Sequence, residues 1–137
     1  MTTSWWSYNE ITYTLEQILF LLSHMDLLES GRWPPEHKGG GYTGSSKGRA
    51  YKHEGSFVKP VIIMAELTLR LDATGLDGKM VIERYAEDFD EMALAKRYKT
   101  DYWEVVARVN SALNYCQGMD RKWISYQSWK ISNGTYT

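Results

Sequence analysis

The sequence predicts an all-α fold: a helical domain with a C-terminal helix-turn-helix and a long Gly-rich internal loop. Three observations lead there. Apolar residues recur at helical spacing in several separate stretches, N-cap signatures stand before them, and strand-like alternation is absent throughout. The 137 residues suit one domain of ordinary size, and 43% apolar residues exclude a chain disordered over most of its length.

The first helix is expected within residues 1–30. Ser7 and Glu10 form an S-x-x-E capping box, with Trp6 and Ile11 placed as a hydrophobic staple. Ile11, Leu15, Ile18, Leu22 and Met25 then recur at 4-3-4-3 spacing. This stripe suits packing inside the chain or, as the second reading, a homo-oligomer seam. His24 sits at the edge of the stripe. Gly31 ends the helix and Pro34-Pro35 prevents its resumption.

Residues 31–58 read as a flexible loop, since seven of the eleven glycines fall between positions 31 and 55. Residues 41–48 imitate a phosphate-binding loop, but Ser46-Lys47-Gly48 breaks the required Gly-Lys-Ser/Thr ending and no strand precedes it. His37 and His53 lack the cysteines or further ligands of a metal site, so no metal or cofactor is expected. Helical order returns near Pro60, where Ile63, Met64, Leu67 and Leu71 make an amphipathic face ended by Gly75. Gly78 opens a shorter segment with Val81, Ile82 and Tyr85.

Residues 59–137 form the predicted helical domain, and its informative part is 90–117. Asp90 is an N-cap stapled by Phe89 and Leu94, before a short helix over 91–98 that carries Ala95. A break at Lys99-Thr100 follows. Asp101 is a second N-cap, paired with Glu104, for a helix over 102–116 with Val105, Val109, Ala112 and Cys116 facing inward and Gly118 as its stop. Two capped helices joined by a turn of three or four residues describe a helix-turn-helix. The small Ala95 lets such helices approach where they cross.

The run Leu94-Ala95-Lys96-Arg97-Tyr98-Lys99-Thr100-Asp101, followed by Val105, resembles the helix-turn-helix of sigma-factor region four. The upstream Ile82-Glu83-Arg84-Tyr85 and the trailing Arg108-Val109 with Ala112-Leu113 extend that likeness over about forty residues, 79–118. One departure is Lys99, which stands where the family places a turn glycine. The resemblance implies a DNA-binding transcription regulator of phage or prophage type, acting through duplex DNA, RNA polymerase or both. A small terminase subunit recognising packaging-site DNA is the alternative within DNA binding. A module that binds RNA polymerase or another protein without reading DNA is the alternative outside it.

On that likeness the helix over 102–116 lies in the major groove, with Tyr102 and Trp103 in its first turn and Trp103 and Arg108 pointing outward. Trp103 has two readings, a groove residue or a side chain packed on Phe89 or the C-terminal tail. Lys96, Arg97 and Lys99 flank the turn as phosphate contacts, and Arg121 and Lys122 extend the track. Trp123, Ile124, Tyr126 and Trp129 are expected to dock on the core rather than stack bases. Asp88, Asp90 and Glu91 read as helix-start carboxylates, not as an acid–base or metal cluster.

Charge sharpens the division. The net charge is −1, with 16 basic and 17 acidic residues, but residues 1–95 carry 9 basic and 14 acidic side chains and residues 96–137 carry 7 and 3. The basic third begins inside the proposed helix-turn-helix, which leaves the acidic front for a protein partner. A lone Cys116, no signal-peptide pattern and a longest apolar run of five residues (18–22) suggest a cytoplasmic, host-cytoplasmic if phage-encoded, non-membrane protein. No nucleophilic or acid–base constellation presents itself, so an enzyme is not expected.

Overall fold

The structure is a computed structural model that describes residues 5–36, 58–120, 122 and 124–133. Among these residues the fold is all-α. Seven helices occur: α1 (Leu15–Ser23), α2 (Met25–Glu29), α3 (Val58–Asp72), α4 (Leu76–Tyr85), α5 (Glu91–Arg97), α6 (Tyr102–Cys116) and α7 (Tyr126–Asn133). No described helix is long and apolar enough to cross a membrane.

The N-terminal helix differs from its predicted form. The Ser7–Glu10 box does close, with the Ser7 N–H donating to Glu10 Oε1 at 2.8 Å, but it caps only a single 3-10 turn, Tyr8–Glu10. The α-helix starts seven residues later on a second box. Thr14 Oγ1 accepts from the Gln17 N–H at 3.2 Å, and Gln17 Oε1 accepts from the Thr12 N–H at 2.7 Å and the Thr14 N–H at 3.3 Å. Tyr13, at φ 59, makes the left-handed step between the two. The helix then breaks at His24, whose Nδ1 lies 2.9 Å from the Phe20 carbonyl. Gly31, at φ 90, ends α2 in a Schellman arrangement: the Arg32 N–H bonds to the Leu27 carbonyl and the Gly31 N–H to that of Leu28.

The apolar stripe of this hairpin is consumed inside the chain. Ile11, Ile18, Leu22 and Leu28 are buried, and only Leu15 of the stripe is exposed. The predicted loop is packed where it is described. The Trp33 indole donates to the Trp6 carbonyl at 2.7 Å and the Trp5 indole to the Pro34 carbonyl at 2.9 Å. Trp6 and Trp33 both lie against Phe20. The phosphate-loop-like residues 41–48, His37 and His53 lie outside the described residues.

Helix α6 is the axis of the fold, in contact with α1, α3, α4, α5 and α7. Its Val105, Val109, Ala112 and Cys116 are buried as the spacing predicts, against Leu94 and Ala95 of α5, Met80 and Val81 of α4, and Met64, Leu67 and Leu71 of α3 within one core. The α3–α4 turn is tight enough that a Cβ on Gly78 would overlap the Leu71 carbonyl oxygen, so this position of α4 needs glycine.

The C-terminal end of α6 is held by Arg70 of α3, which is only 5% exposed. Arg70 Nη1 donates to the carbonyls of Cys116 (2.9 Å) and Gly118 (2.6 Å), Nη2 donates to that of Met119 (3.0 Å), and Nε donates to Glu66 at 2.8 Å. The guanidinium carbon also lies 4.2 Å from the centre of the Tyr13 ring. A fixed, planar set of donors suits this task, because the last carbonyls of a helix have no partner within it and carry its negative end. Arg70→Ala strands these carbonyls and is expected to destabilise the fold by about 3 kcal/mol. Arg70→Lys retains the charge but not the fork and is expected to recover less than half of that. Urea unfolding followed by circular dichroism measures both, and an Arg70→Ala loss below about 0.5 kcal/mol would contradict the capping role.

Candidate nucleic-acid interface

Both N-caps predicted around the turn form. Asp90 Oδ1 accepts from the Ala93 N–H and Asp101 Oδ1 from the Glu104 N–H, each at 2.8 Å. The reciprocal half expected of Glu104 is replaced by an approach to Arg108, with Glu104 Oε2 3.8 Å from Arg108 Nε. Between the helices, the Thr100 N–H bonds to the Ala95 carbonyl at 2.9 Å and the Lys99 N–H to that of Lys96 at 3.4 Å, a Schellman closure. Its left-handed position is Lys99, at φ 56. The lysine therefore keeps the glycine-type backbone rather than bending the turn differently.

The expected site residues separate into two groups. Lys96, Lys99, Tyr102 and Trp103 are exposed together at the turn and on the first turn of α6. Trp103 is 72% exposed, so among the described residues it stands in solvent rather than packed on Phe89 or α7. Its only ring neighbour among the described residues is Tyr102, edge-on at 4.7 Å. Arg97 is exposed, but its guanidinium leans over the Phe89 ring and its Nε lies 3.7 Å from Glu83.

Arg108 is a correction, since it does not point outward with Trp103. At about 100° per residue, Trp103 lies about 160° around the helix from Val105 but Arg108 only about 60°, so Arg108 borders the buried stripe. Its Nε sits 2.9 Å from Asp77 Oδ1 and the side chain is 28% exposed. The N–H is not aimed along that line, so the contact is an ion pair without a directed hydrogen bond. Lys122 is also engaged, with Nζ donating to the Gln117 carbonyl at 2.7 Å just past α6. Arg121 and Trp123 lie outside the described residues.

Residues that position this face were not visible in the sequence. Buried Asp77 takes Arg108 on one oxygen and the Tyr126 hydroxyl on the other at 2.6 Å, and Tyr126 also lies 2.9 Å from Ser111 Oγ. This cluster ties α4, α6 and α7 together. Burial and the adjacent Asp77 carboxylate push the Tyr126 hydroxyl well above its ordinary pKa, so it stays a donor. Tyr126 and Trp129 stack on each other and against Tyr115, so they dock on the core as expected, while Ile124 stays exposed. Glu83 is a second buried carboxylate, accepting from the Tyr98 hydroxyl at 2.6 Å and facing Arg97. Of the acidic run over 83–91, Glu91 is paired with Arg84 at 2.9 Å, and that hydrogen bond holds its carboxyl below the ordinary range.

Comparison with family models, with curated proteins and with solved structures found no match to this chain.

Lys99 carries a backbone cost that glycine does not. Lys99→Gly is therefore expected to stabilise the fold by about 1 kcal/mol, read as a higher urea midpoint at unchanged slope. A loss of stability would show that the lysine side chain contributes more to the fold than the left-handed backbone costs.

Proposed function

We propose that α5 and α6 form a helix-turn-helix of the sigma region-four type and that the chain is a phage-type transcription regulator binding duplex DNA. The observation that carries this reading is the shared exposure of Lys96, Lys99, Tyr102 and Trp103 around a capped turn, with Glu83 and Glu91 engaged internally and the exposed Asp101 carboxylate turned onto the Glu104 N–H as the N-cap of α6. Lys96 and Lys99 supply point charges for phosphates on either side of the turn. The first turn of α6 presents its side chains where a recognition helix meets base edges. Arg97 contributes less than either lysine, because it already faces Glu83.

A second reading draws on Trp103. An exposed tryptophan, with Met92 also exposed on the preceding helix, is the composition of a protein-binding hot spot, which supports RNA polymerase or another protein as partner. The two readings differ in salt dependence and in which residues matter.

Anisotropy titration of a labelled duplex at rising salt separates them. The DNA reading expects binding at low salt with a log–log salt slope, and Lys96→Ala and Lys99→Gly each reducing that slope by about 1. Lys99→Gly is a demanding variant, because it is expected to weaken DNA binding while raising stability. No binding at about 50 mM salt, or an unchanged slope in the double variant, would sink the DNA reading and leave the protein-partner reading standing.

A further inference from the structure

Helix α3 is apolar on two faces. One, with Met64, Leu67 and Leu71, is buried in the core. The other consists of Val58, Ile62, Ala65 and Leu69 at 4-3-4 spacing, flanked by Val61 and Ala73, and all six are exposed. Ile62 is 56% and Leu69 51% exposed. Beside Val61, Ala65 and Leu69 runs a shallow groove toward Glu29 of α2. A helix apolar nearly all round is a helix with a second partner. The chain preceding α3 is poorly suited to supply one: residues 37–57 contain no Leu, Ile, Val or Met.

We infer that this face pairs with a second copy of itself, α3 against α3 in antiparallel orientation about a two-fold axis between positions 65 and 66. The stripe is self-complementary about that point. Ile62 falls opposite Leu69 of the second copy, Val58 opposite its Ala73, and the small Ala65 stands at the axis, where the helices come nearest. Charge at the helix ends favours this direction, the half-buried Glu66 beside the axis being already paired with Arg70. Exposed Lys59 lies near the start of α3 and exposed Asp72 at its end, so the antiparallel arrangement brings unlike charges to the same level at both ends, whereas a parallel one stacks like on like. Opposed helix dipoles favour the same choice. The pairing holds whether or not the α5–α6 face reads DNA, and it replaces the N-terminal helix as the oligomerisation element, since that helix uses its stripe inside the chain.

The full chain is expected to sediment as a concentration-dependent dimer in the micromolar range. Ile62→Glu and Leu69→Glu replace side chains already exposed in one copy, so each leaves the helical circular dichroism and melting temperature of the monomer intact. Each is expected to raise the dimer dissociation constant at least about tenfold, because every substitution enters the interface twice. Cysteine pairing fixes the register. Cys116 is buried and its thiol is pushed up to about 12, so it stays out of the reaction. Ala65→Cys is expected to link to itself on oxidation. Val58→Cys is expected to link to Ala73→Cys when the two are mixed, but not to itself, because its own copies lie about 22 Å apart along the helices. A monomer at about 100 µM, a ring of many subunits, a dimer that survives Leu69→Glu, or self-linking of Val58→Cys would each overturn the proposal.

Discussion

The fold depends on the Arg70 guanidinium at the C-terminal end of α6. Four hydrogen bonds from one rigid plane reach three backbone carbonyls and the Glu66 carboxylate, with the Tyr13 ring on one face. These contacts join α3 to the end of α6 and to the segment before α1. Cys116 to Met119 end α6, Glu66 belongs to α3, and Tyr13 precedes α1 and accepts from the Gly118 N–H at 3.0 Å. The left-handed backbone at Tyr13 accompanies that meeting and places its ring over the arginine. Because α6 touches five other helices, fixing its C-terminal end also fixes how its N-terminal turn is presented.

A second consequence concerns which cations remain available. Arg70, Arg84, Arg97 and Arg108 all face carboxylates inside the fold, on Glu66, Glu91, Glu83 and Asp77. The basic excess of residues 96–137 is therefore expressed at the turn mainly by Lys96 and Lys99. Lysines neutralise phosphates but lack the planar fork that reads guanine, so a DNA contact at this face would draw its affinity from the backbone. On the proposed DNA-binding reading, sequence reading would fall to the first turn of α6, where the exposed groups are Tyr102 and Trp103.

The sequence was legible wherever a signal was local. Asp90 and Asp101 cap as expected, the inward stripe of α6 is buried, and the helical class follows from spacing alone. The first helix was misplaced because two capping boxes lie seven residues apart, Ser7–Glu10 and Thr14–Gln17. Both close, and the left-handed Tyr13 between them, held to Gly118, Ile63 and Arg70, separates the single turn from the α-helix. Arg108 was misread for a related reason: its position on the flank of α6 permits either direction, and Asp77, thirty-one residues away, sets the outcome. Arg70, Asp77 and Glu83 left no trace, since a buried charge in an amphipathic pattern looks like a surface one until its partner is known.

The α3 stripe and the α5–α6 turn are mechanically linked. Arg70 projects from the buried side of the same helix that exposes Ile62 and Leu69, and it grips the far end of α6. A two-fold pairing through α3 would therefore hold two α6 helices in one fixed relation, with no soft joint between the pairing face and the cap. A pair of recognition helices set by such an axis can engage only half-sites whose separation and handedness match it. The specificity that two lysines cannot supply would then come from spacing, a property of the pair rather than of either turn. Arg70 would contribute to that property without touching either surface, since loosening its grip would free α6 to shift against α3 and relax the spacing even if each turn kept its own contacts.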